Sequence, residues 1–140
     1  MINFEMSNYP TEEGKKLRLE VFVKEQGFEE EFDQFDRLDM AYHFVLFEDG
    51  EALATCRMNK EQEGVYHIGR VAVKKEHRKR GLGAKVIAEA EDAALSMGGH
   101  TITIGAQTQA LGFYIALGYV AQGDEYIEEG KPHVKVIKQL

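Results

Sequence analysis

Arg78, Lys79 and Arg80 stand immediately before Gly81-Leu82-Gly83, an arrangement suited to holding a phosphorylated anion. The three cations belong to the window Lys74 to Lys85 (KKEHRKRGLGAK), which contains six of the chain's 17 basic residues. Behind it Val86, Ile87, Ala90, Ala94 and Met97 recur at helical spacing, so the glycines fall where a helix begins. The first amides of a helix have no intrahelical acceptor, and the aligned peptide dipoles place about half a positive charge at that end. A pyrophosphate laid across it satisfies both. Glycine lets the backbone come close and take positive φ, and the arginine fork matches phosphate oxygens. Spacing excludes two other phosphate loops: G-x-x-x-x-G-K-S/T is absent, and G-x-G-x-x-G fails because its third position is Val86.

The elements that must position this loop follow from periodicity. Val65 to Val73, ending in Val71-Ala72-Val73, reads as the strand that feeds it, and Tyr42 to Phe47 and Ala52 to Met58 read as two more. Asp49-Gly50 is a hairpin signal between the latter two, and Glu61 to Gly64 reads as a second hairpin loop. Ile2 to Met6 alternates as a short strand. Thr11 caps a helix with Glu12 and Glu13 in its first turn, and Gly27 ends it. Residues 25–39 hold seven carboxylates (Glu25, Glu29, Glu30, Glu31, Asp33, Asp36 and Asp39) and read as a loop or short helix. After the helix from Val86 to Met97, Thr101 to Ala106 alternates as a strand, and Gln109 to Leu117 reads as a short helix. Strands near Tyr119–Gln122 and His133–Lys138 close the chain around a Gly130-Lys131-Pro132 turn. Antiparallel strands, then strand–helix–strand, then strands again give an α+β fold with a mixed sheet.

The chain has 140 residues, 44 % apolar and 29 % charged, as expected of one soluble domain spanning 1–140. No apolar run approaches the roughly 20 residues of a membrane span. MINFEMSNYP has neither a charged leader nor a long apolar stretch. Cys56 is the single cysteine, which excludes an internal disulfide. A cytoplasmic protein without metal is expected. The net charge of −7 and the lack of aromatic residues in the basic window argue against nucleic acid as a partner.

Arg78-x-x-Gly81-x-Gly83 after Val71-Ala72-Val73 resembles the acyl-CoA signature of the GNAT superfamily, R/Q-x-x-G-x-G/A. Phe113-Tyr114-x-x-x-Gly118-Tyr119 is similar to a second GNAT motif, F-Y-x-x-x-G-F/Y. Leu17-Arg18-x-Glu20-Val21-Phe22-Val23-x-Glu25-Gln26, Ala106-Gln107-Thr108-Gln109-Ala110 and Gly130-x-Pro132-His133 resemble the ElaA/YjcF-like branch. The resemblance implies a mixed, mostly antiparallel sheet with flanking helices and a splayed central pair of parallel strands. It implies acetyl-CoA as co-substrate, its pantetheine along Val71, Ala72 and Val73 and its pyrophosphate on Arg78, Lys79, Arg80, Gly81, Leu82, Gly83 and Ala84. A backbone amide near Val71 would polarise the thioester carbonyl. Tyr114 takes the position of the general acid, because a departing thiolate needs a proton donor. Gln107 would meet the pantetheine or the acceptor.

The resemblance leaves the base open. Several GNATs carry a glutamate on the strand before the loop, whereas this chain has Tyr66-His67-Ile68-Gly69-Arg70. His67, Glu25 and an amine arriving already neutral are the three options. On the acceptor side the resemblance brings Glu25, Gln26 and the acidic segment to the cleft, favouring a small cationic amine. Arg57 and Arg70 favour an anionic acceptor instead, and His133 points to the same cleft. Cys56 lacks neighbours that would activate a thiolate. Transfer of acetyl to a primary amine of a small molecule or peptide by direct attack is the expected activity. A catalytically idle acyl-CoA sensor is the alternative, and a homodimer is one permitted assembly.

Overall fold

The alternating segments pair into one seven-stranded sheet in the order β1-β2-β3-β4-β5-β7-β6. Its strands are β1 (Ile2–Ser7), β2 (Tyr42–Glu48), β3 (Glu51–Gln62), β4 (Val65–Val73), β5 (Thr101–Gln107), β6 (Val120–Glu128) and β7 (Lys131–Gln139). This computed structural model describes residues 1–28 and 32–140. Glu29, Glu30 and Glu31 of the acidic segment lie outside the described residues.

Every neighbouring pair is antiparallel except β4 with β5. That parallel ladder runs only from Val65↔Thr101 to Ile68↔Ile104. Beyond it β4 continues to Val73 and β5 to Gln107 with no pairing between them, so the sheet forks as expected. The sequence supplies the wedge. Thr55 pairs with Ala72 and Arg57 with Gly69, so β4 carries an extra residue opposite β3. Arg70 sits in that bulge at φ 51°, a conformation uncommon for a side-chain-bearing residue.

Among the described residues three α-helices flank the sheet: α1 (Glu12–Arg18), α2 (Leu82–Ser96) and α3 (Leu111–Ala116). Thr11 caps α1, its Oγ1 accepting from the Gly14 amide at 3.1 Å. The chain then widens into a π-helical segment, Leu19–Glu25, and ends at Gly27 with φ 77°. On one face α2 buries Leu82, Val86, Ile87, Ala90 and Ala94 against Leu46, Ala54, Cys56, Ile68, Ile102 and Ile104. On the other, Gly14 of α1 seats against Val45 and Thr55, and Val21, Phe22, Phe28 and Ala72 form a second apolar cluster. Among the described residues no helix is long and apolar enough to cross a membrane.

Several boundaries differ from the expectation. The second hairpin loop is only Glu63-Gly64, because β3 stays paired to Gln62↔Val65, across a register shift between Lys60 and Gln62. α2 starts at Leu82, four residues before its apolar stripe becomes regular. The stretch expected as one helix from Gln109 is a 3-10 turn, Thr108–Ala110, followed by α3. β6 is the largest revision. It runs to Glu128 through Gly123-Asp124, with a register shift between Gln122 and Tyr126, and the turn moves to Glu129-Gly130. All its residues are exposed, so it has no apolar alternation to betray it.

Candidate active site

The basic window builds a loop whose backbone is shaped for an anion. Lys79 (φ 67°) and Gly81 (φ 79°) both adopt the left-handed conformation, and Gly81 is the N-cap of α2 without a side-chain capping bond. The first intrahelical bond runs from Lys85 N to Gly81 O at 3.1 Å, leaving the Leu82, Gly83 and Ala84 amides unclaimed by the helix. No acidic residue occupies the first turn. Gly83 has a packing reason as well: a Cβ there would lie 3.3 Å from Phe113 Cζ and 3.4 Å from Val73 Cγ2. Its absence lets the helix start seat against both the end of β4 and α3.

The side chains of the window are less available than their charges suggest. Arg78 forks onto Glu25 with two contacts of 2.6 Å, while its Nε donates to the Val73 carbonyl at 3.1 Å. Arg80 turns to Glu48 at 2.7 Å, and Lys74 to Glu51 at 2.6 Å. The hydrogen bond from Arg78 holds the Glu25 carboxyl below its ordinary range, which weakens it as a base.

A cavity of about 420 Å³ fills the fork, lined by His67, Gly69 and Val71 of β4, Gly105 and Gln107 of β5, and Tyr114 of α3. Tyr114 is 7 % exposed and packs edge-on against Phe113 and Tyr119, at 5.0 and 5.9 Å between ring centres. Burial pushes its phenol well above the ordinary range, so it stays protonated. Among the described residues its hydroxyl has no hydrogen-bond partner, and it is not among the buried polar atoms left unpaired. The hydroxyl therefore opens on the cavity with its proton in place. Cys56, wholly buried behind it, has its thiol pushed up by burial.

Residues 7–140 match the family model of the acetyltransferase (GNAT) domain. The chain belongs to the GNAT acetyltransferase family. It is 35 % identical over 125 residues to the uncharacterized N-acetyltransferase YjcF of Bacillus subtilis (strain 168), covering 87 % of each chain. A candidate N-acetyltransferase structure from Lactobacillus plantarum superposes with a TM-score of 0.90 at 30 % identity, over 99 % of this chain and 98 % of that one. Escherichia coli ElaA shares the fold, with a TM-score of 0.85 at 23 % identity over 99 % of both chains. GNAT enzymes are acyl-CoA-dependent N-acyltransferases, and the forked sheet of this chain is the fold they share.

The far side of the cavity from the loop is a side-chain network. Arg18, 2 % exposed, grips Asp36 at 2.7 and 2.9 Å, and Arg57 forks onto Asp33 at 2.7 and 3.1 Å while touching Asp36 at 3.1 Å. Arg70 reaches Asp33 at 3.3 Å. Burial alone would raise the Asp36 carboxyl, but hydrogen bonds from Arg18 and the Asp33 amide, with the Arg18 and Arg57 charges, hold it at about 2. These pairs leave Arg57 and Asp33 largely neutralised by each other, so Asp33, Asp36, Arg18 and Arg57 stand as paired rather than bare charges. Gln107 donates to Gln26 at 2.8 Å, tying β5 to the end of the π-helical segment. His133 is buried, bonded to the Lys131 carbonyl at 2.9 Å and stacked on Tyr126 at 5.6 Å.

Four residues of the site were not singled out from sequence. Asn59 of β3 lines the cavity, Thr103 and Glu61 stand behind His67 as its hydrogen-bonded neighbours, and Tyr126 comes from the unforeseen part of β6. Its hydroxyl occupies the room above Gly105, where a Cβ would collide with it. Register between strands, rather than any motif, was the signal that would have found them. His43, buried beneath Arg18, Asp36 and Arg57, also went unnoticed; its Nε2 has no partner among the described residues.

Proposed function

We propose that the protein, as a single domain over 1–140, transfers acetyl from acetyl-CoA to a primary amine by direct attack. The observation that carries this reading is the fork: an unpaired strand edge beside open helix-start amides, with a protonated tyrosine over the same cavity. The pyrophosphate would rest on the Leu82, Gly83 and Ala84 amides, with Lys79 and Arg80 nearby and Arg78 exchanging Glu25 for phosphate. Pantetheine would replace β5 as the partner of Val71, Ala72 and Val73. An amide near Val71 would polarise the carbonyl, and Gln107 would border the thioester. The amine nitrogen attacks the carbonyl carbon, the C–S bond breaks, and Tyr114 gives its proton to the departing sulfur. Gln26, Arg57, Arg70 and His133 would border the acceptor.

The test is a thiol-release screen of acetyl-CoA with amino sugars, polyamines, amino acids and peptides, alongside melting curves. Acetyl-CoA is expected to raise the melting temperature, since it binds only the folded state. Tyr114→Phe is expected to slow release roughly 10- to 1000-fold with near-normal acetyl-CoA affinity. No thermal shift at millimolar acetyl-CoA would defeat the donor site. Binding without thiol release from any amine would leave an acyl-CoA sensor.

A further inference from the structure

His67 and Thr103 face each other across the parallel ladder, one rung before it ends. Thr103 is 4 % exposed, and its hydroxyl donates to Glu61 at the end of β3. An ionised carboxylate can only accept, so the single hydroxyl proton is committed to Glu61. The 2.9 Å contact between Thr103 Oγ1 and His67 Nδ1 is therefore an N–H donated by the imidazole. This fixes the tautomer: Nδ1 carries the proton and Nε2 carries the lone pair. Nε2 lies over Gly69, where a Cβ would stand 3.7 Å from it, and both residues line the cavity, His67 four and Gly69 two positions before Val71. The missing side chain leaves room for an acceptor group between the imidazole and the thioester.

We propose that His67 Nε2 is the base that takes a proton from the incoming ammonium, and that Thr103 and Glu61 are positioning residues that hold its tautomer. The proposal rests on the acetyl-transfer reading above and supplies its missing base. The ammonium proton passes to Nε2, and the freed nitrogen lone pair forms the C–N bond. The C–S bond breaks, the sulfur takes the Tyr114 proton, and the phenolate recovers one from the nitrogen of the adduct. The products are an amide, a free thiol and an imidazolium that returns its proton to solvent. During that interval the imidazolium keeps its Nδ1–H on Thr103, whose hydroxyl leans on the Glu61 carboxylate, as a third group orients the base in a catalytic triad.

The charges facing the ring are balanced. Burial lowers its affinity for a proton most, Glu61 and Glu128 raise it, and Arg57 and Lys135 lower it. The net effect is downward, leaving the ring neutral and able to accept at neutral pH.

Long-range proton–nitrogen NMR of the free protein reads the tautomer directly. Wild type is expected to show His67 protonated on Nδ1; Thr103→Val releases that preference and Thr103→Ser restores it. Glu61→Gln is expected to lower the titration midpoint of the ring by removing a facing negative charge. With the amine that releases thiol fastest in the screen, His67→Gln is expected to cut turnover about 10²- to 10⁴-fold and remove the acidic limb of the pH profile. Thr103→Val and Glu61→Gln are expected to cut it about tenfold or more, with acetyl-CoA affinity within twofold and recovery in Thr103→Ser. A wild-type ring protonated on Nε2, or one unchanged in Thr103→Val, overturns the positioning roles. An unaltered rate and pH limb in His67→Gln overturns the base. A correct tautomer with no thiol release from any amine would instead defeat the transfer reading and the base role with it.

Discussion

The two halves of the cleft are made of different material. The half proposed for the acyl donor is backbone: an unpaired edge of β4, helix-start amides at Leu82–Ala84, and two left-handed residues at Lys79 and Gly81. The half proposed for the acceptor is side chain: Arg18, Asp33, Asp36, Arg57 and Arg70 brought together from four separate stretches of sequence. A backbone cradle recognises what every acyl-CoA shares and survives most substitutions around it. A side-chain network changes its charge and shape with each replacement. On the proposed reading, the donor half is therefore the more tolerant of side-chain substitution.

The sharpest way to break this contrast is to damage one half and read the other. Arg18→Met leaves the Asp36 carboxylate buried beside a single remaining arginine. Loss of one partner of a buried pair costs about 3–5 kcal/mol, so the urea midpoint is expected to fall steeply. Acetyl-CoA affinity of the folded fraction, measured by calorimetry, is expected to stay within about threefold. A comparable loss of both would merge the two halves into one unit. In the opposite direction, Gly83→Asp sets a carboxylate against Phe113 and Val73 and beside the phosphate seat. Acetyl-CoA affinity is expected to drop by about a hundredfold or more, the scale of a like charge added at a helix start and a close contact together. Circular dichroism would verify the fold, and unchanged affinity would remove the pyrophosphate from this loop.

A weaker effect separates the halves by pH. Burial, reinforced by the Arg18 charge, holds the His43 imidazole at about 4, below its unfolded 6.5. The unfolded chain therefore takes up the proton first. The stability this provides is complete above pH 6.5 and is lost as pH falls towards 4, by at most about 3 kcal/mol. His67 titrates in the same direction. His43→Gln is expected to flatten part of that slope in melting curves from pH 7 to 4; an identical slope would free His43 from the network's energetics. The smallest effect crosses the boundary between the halves. Glu25→Gln frees Arg78 for phosphate, so acetyl-CoA is expected to bind a few-fold more tightly at low salt. The gain should fade as salt rises, because the pair is about one-third exposed. Weaker binding would mean that Glu25 organises the loop rather than competing for it.

The same division governs what could be read in advance. Gly81, Gly83 and the cations lie within one window, so local chemistry and the helical period of Val86, Ile87 and Ala90 sufficed to locate the helix start. The fork needed the family resemblance, since nothing in Val65–Val73 announces that Arg70 takes a positive φ and bulges. The acceptor network was hidden because its partners are far apart in sequence: Arg18 meets Asp36, and Asp36 meets Arg57. Composition gave these residues but not their pairing with one another. Thr103 and Glu61 carry no motif, and only the register of β3, β4 and β5 sets them behind His67. In β6 exposure erased the alternation on which strand reading depends.

The π-helical stretch Leu19–Glu25 has one residue too many for an ordinary helix of its span. Each residue in such a widened turn sweeps a smaller angle about the axis, so the surplus works like a shim under a hinge plate. Val21 and Phe22 still face the sheet, while Glu25 and Gln26 come round to Arg78 and Gln107. A chain one residue shorter here would relax into a regular helix and swing both side chains off their partners. The aim of Glu25 and Gln26 towards Arg78 and Gln107 is thus set by a count of residues, a quantity that insertion or deletion alters in one step and substitution leaves alone.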